Sequence, residues 1–366
     1  MPSVHKLLGV QYLRAVAALM VVYYHVTQQI PAYMPFLEFH RILDSRSLGA
    51  GVHVFFVISG FIMLVTTERI TPGDFIARRL IRIVPLYWLL TAALLALSYL
   101  HYFQHTQVTL ERVWKSLLFV PYLASSGRVE PLLSPGWTLN VEMLFYGLFA
   151  LALLISRRYR LILVSFVFIA AVFAGTADPD RASSPFLFLM TRAWMLEFCT
   201  GMLIGYFYLQ GLLRLPKWII AMLVIGGFGL LLSSLLVSTE DPTPYVLPAT
   251  VIMIGVVAYE QRFGIALRRL PMLLGNASYS IYLSHIFALG FIGVLWRRAG
   301  LMTADTLHAA IFAIASFTTT IGFALLVYWL LEKPLLDLLS ARIKRGHSLL
   351  HGRPLGNSIV PGGEAG

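Results

Sequence analysis

Ten predominantly apolar stretches run through this chain, most of them near the length a helix needs to cross a bilayer, about 20 residues. They lie at 8–30, 48–67, 82–100, 137–156, 160–176, 187–209, 217–237, 245–259, 276–297 and 308–331. This succession predicts an all-α polytopic integral membrane protein with about ten transmembrane helices. Composition points the same way. The chain is 58% hydrophobic and 12% charged, whereas a soluble domain carries about 25% charged residues. A soluble monomer could not cover its surface with so few polar groups. An aromatic content of 13% excludes a disordered chain.

One further segment, 113–124 (VWKSLLFVPYLA), is too short to span and carries Pro121; it reads as an interfacial or re-entrant piece. The first apolar run follows Lys6 and has no small-residue cleavage site. It is expected to be a retained span rather than a signal peptide.

The net charge of +11 admits a nucleic-acid partner, but basic cytoplasmic loops account for it more simply. With the N-terminus placed in the cytoplasm, 19 of the 28 basic residues fall on the inner side. That asymmetry predicts an even number of spans, both termini cytoplasmic, and a basic cytoplasmic tail over 335–366. No nucleic-acid partner is expected. The single cysteine, Cys199, excludes a disulfide framework and any multi-cysteine metal site. No glycine-rich phosphate loop is present.

Ionisable residues inside spans are costly and mark candidate sites. Arg14 and His25 are eleven residues apart on the first predicted helix. That spacing brings them to one face, about 16 Å apart along the axis. The cation lies toward the cytoplasmic end and the imidazole toward the outer end. An anionic donor held by Arg14 and proton chemistry at His25 would suit this order. A snorkelling arginine and a hydrogen-bonded structural histidine would fit it too. His53, in GVHVFFVISGF, is expected at the depth of His25. No motif supplies a third ligand near these histidines, so no metal is expected. Gly51, Ser59 and Gly60 suit close helix contact.

Glu142, in PGWTLNVEMLFYG, is expected at a depth similar to that of His25, where it would orient the imidazole as the acid of a triad does. A structural ion pair is the other reading. Arg78, Arg79 and Arg82 form RRLIR at the mouth of the third span. Arg79 and Arg82 share a helix face, as do Arg78 and Arg82. Such guanidinium clusters suit phosphates, or anchor a helix end to anionic lipid. His285 and Glu197 would either join helices or do chemistry. Glu332, in LLEKP, is expected to pair with a basic neighbour such as RRLIR. Trp137, Trp88 and Tyr87 are expected in an interfacial aromatic belt.

Taken in order, these features resemble the acyltransferase 3 family of membrane-bound acyltransferases. They are Arg14-x10-His25, GVHVFFVISGF at 51–61, RRLIRIVPLYW at 78–88, WTLNVEMLFY at 137–146, LGNASYSIYLSH at 274–285 and LEKP at 331–334. The opening LGVQYLRAVAALMVVYYH is most similar to the branch that acetylates bacterial exopolysaccharides. The resemblance covers about residues 7–334 and implies one acyltransferase domain over 1–334. It implies transfer of an acyl group, usually acetyl from acetyl-CoA, to a sugar hydroxyl of an exopolysaccharide or other envelope glycan. The setting implied is the bacterial inner (cytoplasmic) membrane. Arg14 and His25 are implied as the essential pair, and the arginines of RRLIR in donor recognition.

Two departures stand out. Family members often carry Asp where this chain has His53, so Glu142 becomes the better candidate orienter. Some members also carry a C-terminal esterase-like domain. This chain ends about 30 residues past its last predicted span, so it is expected to act alone or with a separate protein, such as the polysaccharide-synthesis machinery. A carrier or flippase for a glycan or small molecule is the rival class on span count alone. A non-catalytic assembly scaffold is a third reading.

Overall fold

The structure is a computed structural model and describes residues 7–33, 49–100, 108–177, 184–233, 243–301 and 306–351. Its helices are α1 (Leu8–Tyr33), α2 (Gly51–Thr66), α3 (Pro72–Tyr99), α4 (Leu110–Leu117), α5 (Trp137–Ile155), α6 (Arg160–Ala177), α7 (Pro185–Met190) and α8 (Trp194–Leu209). Then follow α9 (Lys217–Ser233), α10 (Thr243–Phe263), α11 (Arg269–Asn276), α12 (Ser278–Arg298), α13 (Thr306–Val327) and α14 (Lys333–His351). A 3-10 turn, Ser134–Gly136, opens α5, and a π turn, Tyr328–Glu332, joins α13 to α14. No β-strand occurs among the described residues.

Seven helical stretches are long and apolar enough to cross a membrane, and two apolar helices, Gly51–Thr66 and Lys217–Leu232, are shorter. Large apolar side chains such as Leu154, Phe166, Phe173, Trp218 and Ile225 stand exposed around the bundle. Such a surface belongs in lipid rather than water. The chain is therefore an all-helical membrane protein. Within the described residues, each of the ten apolar stretches falls on a helix, the sixth on α7 and α8 together.

Lipid gives no hydrophobic drive to helix association, so small residues and polar contacts decide the packing. A Cβ at Gly60 on α2 would run into the Phe198 carbonyl of α8. One at Gly201 would run into the Val57 carbonyl from the other side. The two helices cross there backbone to backbone. Gly51 lets α2 approach Ala17 of α1, and Gly275 lets the α11–α12 junction approach Gln11. These contacts put α1, α2 and α12 together at the centre.

Two differences from the sequence expectations matter for the site. First, α3 starts ten residues before the expected span. Thr71 caps it, accepting from the Asp74 amide at 3.1 Å, with Pro72 at its first position. RRLIR therefore lies inside the helix rather than at its mouth. Second, the segment from α4 to the 3-10 turn folds back along α3. The Tyr87 hydroxyl donates to the Ser116 carbonyl (3.1 Å) and the Trp88 indole to that of Leu117 (2.9 Å). Ser116 is fully buried, and its Oγ accepts from the Leu132 amide at 3.0 Å. The short segment 113–124 thus packs back along α3 rather than crossing beside it. Gly136 packs on the Tyr87 ring, so α5 begins at the level of Tyr87. That is about 18 Å short of the α3 end, at 1.5 Å per residue. Tyr87 and Trp137 consequently leave the expected aromatic belt. Tyr87 is fully buried, and Trp137 packs between Phe56 and Trp194, while Trp88 remains half exposed.

Candidate active site

A cavity of about 270 Å³ opens between α1, α2, α3, α5 and α12. Its polar lining consists of Gln11 and Arg14 of α1, Ser59 of α2, Arg79 and Arg82 of α3, Thr138, Glu142 and Tyr146 of α5, and Ser278, Tyr279 and Tyr282 of α12. Three guanidinium groups thus face one carboxylate. Phe55, Phe56 and Met63 are among the apolar wall.

Each cation is placed by identifiable contacts. Arg14 donates to Ser278 Oγ at 2.8 Å, at the start of α12. A cation there opposes the positive end of the helix dipole. Glu332 compensates: it accepts from the Ser280 amide (3.1 Å) and Ser280 Oγ (2.5 Å). It thereby caps α12 from another helix, satisfying one of the amides a helix start leaves open. The expected pairing of Glu332 with RRLIR is not seen as a direct contact. No ion pair joins them among the described residues, but Arg82 and Arg14 both act on Glu332 electrostatically. The π turn at Tyr328–Glu332 is what carries the buried Glu332 to the α12 start.

Arg79 lies over the rings of Phe75 (5.8 Å) and Tyr146 (5.9 Å). Its Nε is buried and has no hydrogen-bond partner among the described residues. A buried donor left open in this way is ready for an acceptor. The helix face selects between the two pairings of RRLIR. Arg79 and Arg82 line the cavity, whereas Arg78 is exposed and does not.

Glu142 is held in this cavity and not at His25. Its Oε1 accepts from Ser59 Oγ (2.6 Å) and from the Tyr146 hydroxyl (2.8 Å). Among the described residues the triad-like arrangement expected for Glu142 does not form, and the segment folded back along α3 is the reason. Because α5 starts deep, a residue five positions into it lies beside the arginines rather than beside His25.

His25 takes its orientation from the backbone instead. Its Nδ1 donates to the Val21 carbonyl at 2.9 Å. A carbonyl only accepts, so Nδ1 carries the proton and Nε2 is the basic nitrogen. Arg14 and His25 do share one face of α1, and both meet α12, at Ser278 and at His285 respectively. The His25 and His285 rings lie 4.5 Å apart. Tyr282, the last residue of the cavity along α12, is one turn short of His285, with ring centroids 6.2 Å apart. Its hydroxyl accepts from Thr138 (3.0 Å) and bonds the Pro135 carbonyl (2.9 Å). Tyr282 and the two histidines therefore form a line of ring contacts leading from the cavity wall. That His285 belongs to it is missed by sequence reasoning. Its spacing of seven from Ser278 was the available signal.

His53 is not paired with His25. Its Nδ1 meets Glu197 Oε1 at 2.6 Å, and its ring stacks on Tyr245 at 5.0 Å. The carboxylate expected to be missing at this position is supplied by α8. This buried pair joins α2 to α8 next to the glycine crossing. Among the described residues no group of three or more His, Cys, Asp or Glu side chains converges as a metal site would.

The chain matches the acyltransferase domain family over residues 7–329. It is 43% identical over 296 residues to the exopolysaccharide production protein ExoZ of Rhizobium meliloti (strain 1021), covering 78% of this chain and 89% of that protein. It is also 26% identical over 371 residues to nodulation protein 10 of Rhizobium leguminosarum bv. viciae, covering 91% and 94%. No solved structure matches the chain. The family match spans the helices that build the cavity and the histidine pair: this chain belongs to the acyltransferase 3 family and is a membrane-embedded acyltransferase.

Proposed function

We propose that the protein transfers an acyl group, acetyl in the first instance, from cytoplasmic acyl-CoA to a sugar hydroxyl of an exopolysaccharide. The observation that carries this reading is the cavity in which Arg14, Arg79 and Arg82 converge with one carboxylate, Glu142. An excess of cations in a low-dielectric site suits an anionic, phosphate-bearing donor. The ExoZ likeness supports an exopolysaccharide as the acceptor.

In this reading Arg79 and Arg82 hold the donor, Arg79 with its open Nε, and Arg14 fixes the donor end nearest α12. Glu142 keeps Tyr146 and Ser59 in place and limits the positive charge of the site. His25, with Nδ1 tied to Val21, offers Nε2 as the general base for the acceptor hydroxyl. Ten spans with both termini cytoplasmic put the arginines toward the inner side and His25 toward the outer side. The setting is the bacterial inner membrane, beside the polysaccharide-synthesis machinery and its lipid-linked or nascent glycan.

The test uses purified full-length protein with labelled acetyl-CoA and the host polysaccharide. Labelled polymer from wild type and none from His25→Ala, with that variant inserted and folded, is the expected result. A His25→Ala variant with full activity would remove His25 from the chemistry. Absence of donor-dependent transfer by wild type would remove acetyl-CoA as donor.

A further inference from the structure

Gln11 lines the cavity one helical turn before Arg14, and the scheme above gives it no task. Its Oε1 is buried and has no hydrogen-bond partner among the described residues. Native structures rarely leave a buried acceptor open without a ligand or a water to meet it. The backbone around it is held by packing. A Cβ at Gly275 would run into the Gln11 carbonyl. The next residue, Tyr12, is clamped through its hydroxyl, which donates to the Ala266 carbonyl (2.9 Å) and accepts from the Arg268 amide (2.6 Å). A fixed backbone carrying an open carboxamide suits recognition of a ligand.

The arginines of the cavity only donate, so they hold phosphates and leave any N–H of a ligand unmet. A carboxamide presents an acceptor and a donor side by side. That pair matches the N6–H and N7 edge of adenine, as Gln and Asn do when they select this base in DNA. The position along α1 fits as well. His25 lies about 16 Å from Arg14 on one side, and Gln11 about 4.5 Å from it on the other. An acyl-CoA carries its thioester, its diphosphate and its adenosine in that same order. Apolar surface for a purine face is present at this end. Ile62 and Met63 line the cavity from the last turns of α2, and Ile62 packs in one apolar cluster with Leu7 and Val10 at the start of α1.

We propose that Gln11 is a specificity-determining residue for the donor: its carboxamide reads the adenine of the acyl-CoA, with Oε1 accepting from N6–H and Nε2 donating to N7. This rests on the acyl-CoA reading above. It makes the nucleoside, and not the phosphates alone, part of what the cavity recognises.

The test compares acetyl-CoA with its analogue carrying hypoxanthine, in which an oxygen replaces the 6-amino group. Donor KM and kcat are measured with polysaccharide for purified full-length wild type, Gln11→Ala and Gln11→Met. Thermal unfolding is followed on the same samples. Wild type is expected to show a KM about tenfold higher for the hypoxanthine donor, within the discrimination a bidentate pair gives, at equal kcat. In both variants the KM for acetyl-CoA should rise by about tenfold and the two donors should agree within about twofold. Their unfolding midpoints should stay near wild type, because the Gln11 Oε1 has no protein partner to lose among the described residues. Equal KM for the two donors in wild type overturns the proposal, and this comparison needs no variant to fold. A variant that still discriminates overturns it too, as does a loss confined to kcat. Wild type that transfers equally from both donors leaves the acyl-CoA reading standing. Wild type that transfers from neither removes that reading, and the proposal with it.

Discussion

At the scale of single residues, the cavity takes two of the three arginines of RRLIR and leaves the third in the open. Arg79 and Arg82 line it and Arg78 does not, though all three carry the same charge within five positions. A hydrogen bond to a charged group contributes about 1.5–3 kcal/mol, which is about 10–100-fold in affinity. Arg79→Gln and Arg82→Gln should therefore each raise the donor KM by about tenfold or more, whereas Arg78→Gln should leave it within about twofold. Steady-state kinetics over a range of acetyl-CoA concentrations measure this. Equal effects at all three positions would mean that the cluster acts as a diffuse field and not as a fitted site. His53 and Glu197 call for a different readout. Removing one partner of a buried pair strands the other and costs about 3–5 kcal/mol. Glu197→Ala should lower the thermal unfolding midpoint markedly, and Glu197→Gln, which still accepts from His53, should lower it less. Donor KM should be unchanged in both, because neither residue lines the cavity.

At the scale of helices, the α2–α8 crossing depends on Gly60 and Gly201, each facing a carbonyl of the other helix. Gly201→Ala or Gly60→Ala must push the helices apart and disturb Ser59, which lies beside Gly60 and holds Glu142. Both variants should unfold at lower temperature than wild type. Gly147→Ala on α5, where nothing lies within 4 Å, should match wild type or exceed it, since alanine favours a helix by about 1 kcal/mol over glycine. The helices themselves were legible in the sequence, because apolar runs of span length admit few other structures in lipid. The shared face of Arg14 and His25 was legible too, since helical geometry fixes it. The depth of Glu142 was not. Placing Glu142 level with His25 assumes that every helix starts at a bilayer surface. The segment folded back along α3 breaks that assumption through contacts such as Tyr87 to Ser116, which no local pattern announces. The Glu197 partner of His53 was hidden for a similar reason: the two are 144 residues apart, and span order does not say which helices touch.

At the scale of the whole molecule, the direction of the chemistry depends on which side of the membrane each end faces. The charge asymmetry between loops predicts that orientation, and the cavity and histidine pair would inherit it. The arginines lie near the starts of α1 and α3, and His25 lies about 16 Å further along α1. If both termini are cytoplasmic, the donor site opens inward and the base lies toward the acceptor. If the orientation is reversed, the arginines face the wrong compartment for a CoA ester, and the proposed route fails whatever the local geometry. The only cysteine, Cys199, is 9% exposed, so wild type should give almost no background with a membrane-impermeant maleimide. Single cysteines can then report each side. Ser126, on the exposed turn between Leu123 and Val129, lies in the chain between the C-terminal end of α3 and the start of α5. Ser126→Cys should label in intact cells. Ser358→Cys, in the basic tail, should label only after the membrane is permeabilised. The opposite pattern would reverse the orientation and with it the assignment of donor and acceptor sides. Labelling of both in intact cells would make the span number odd and place the tail away from the cytoplasm.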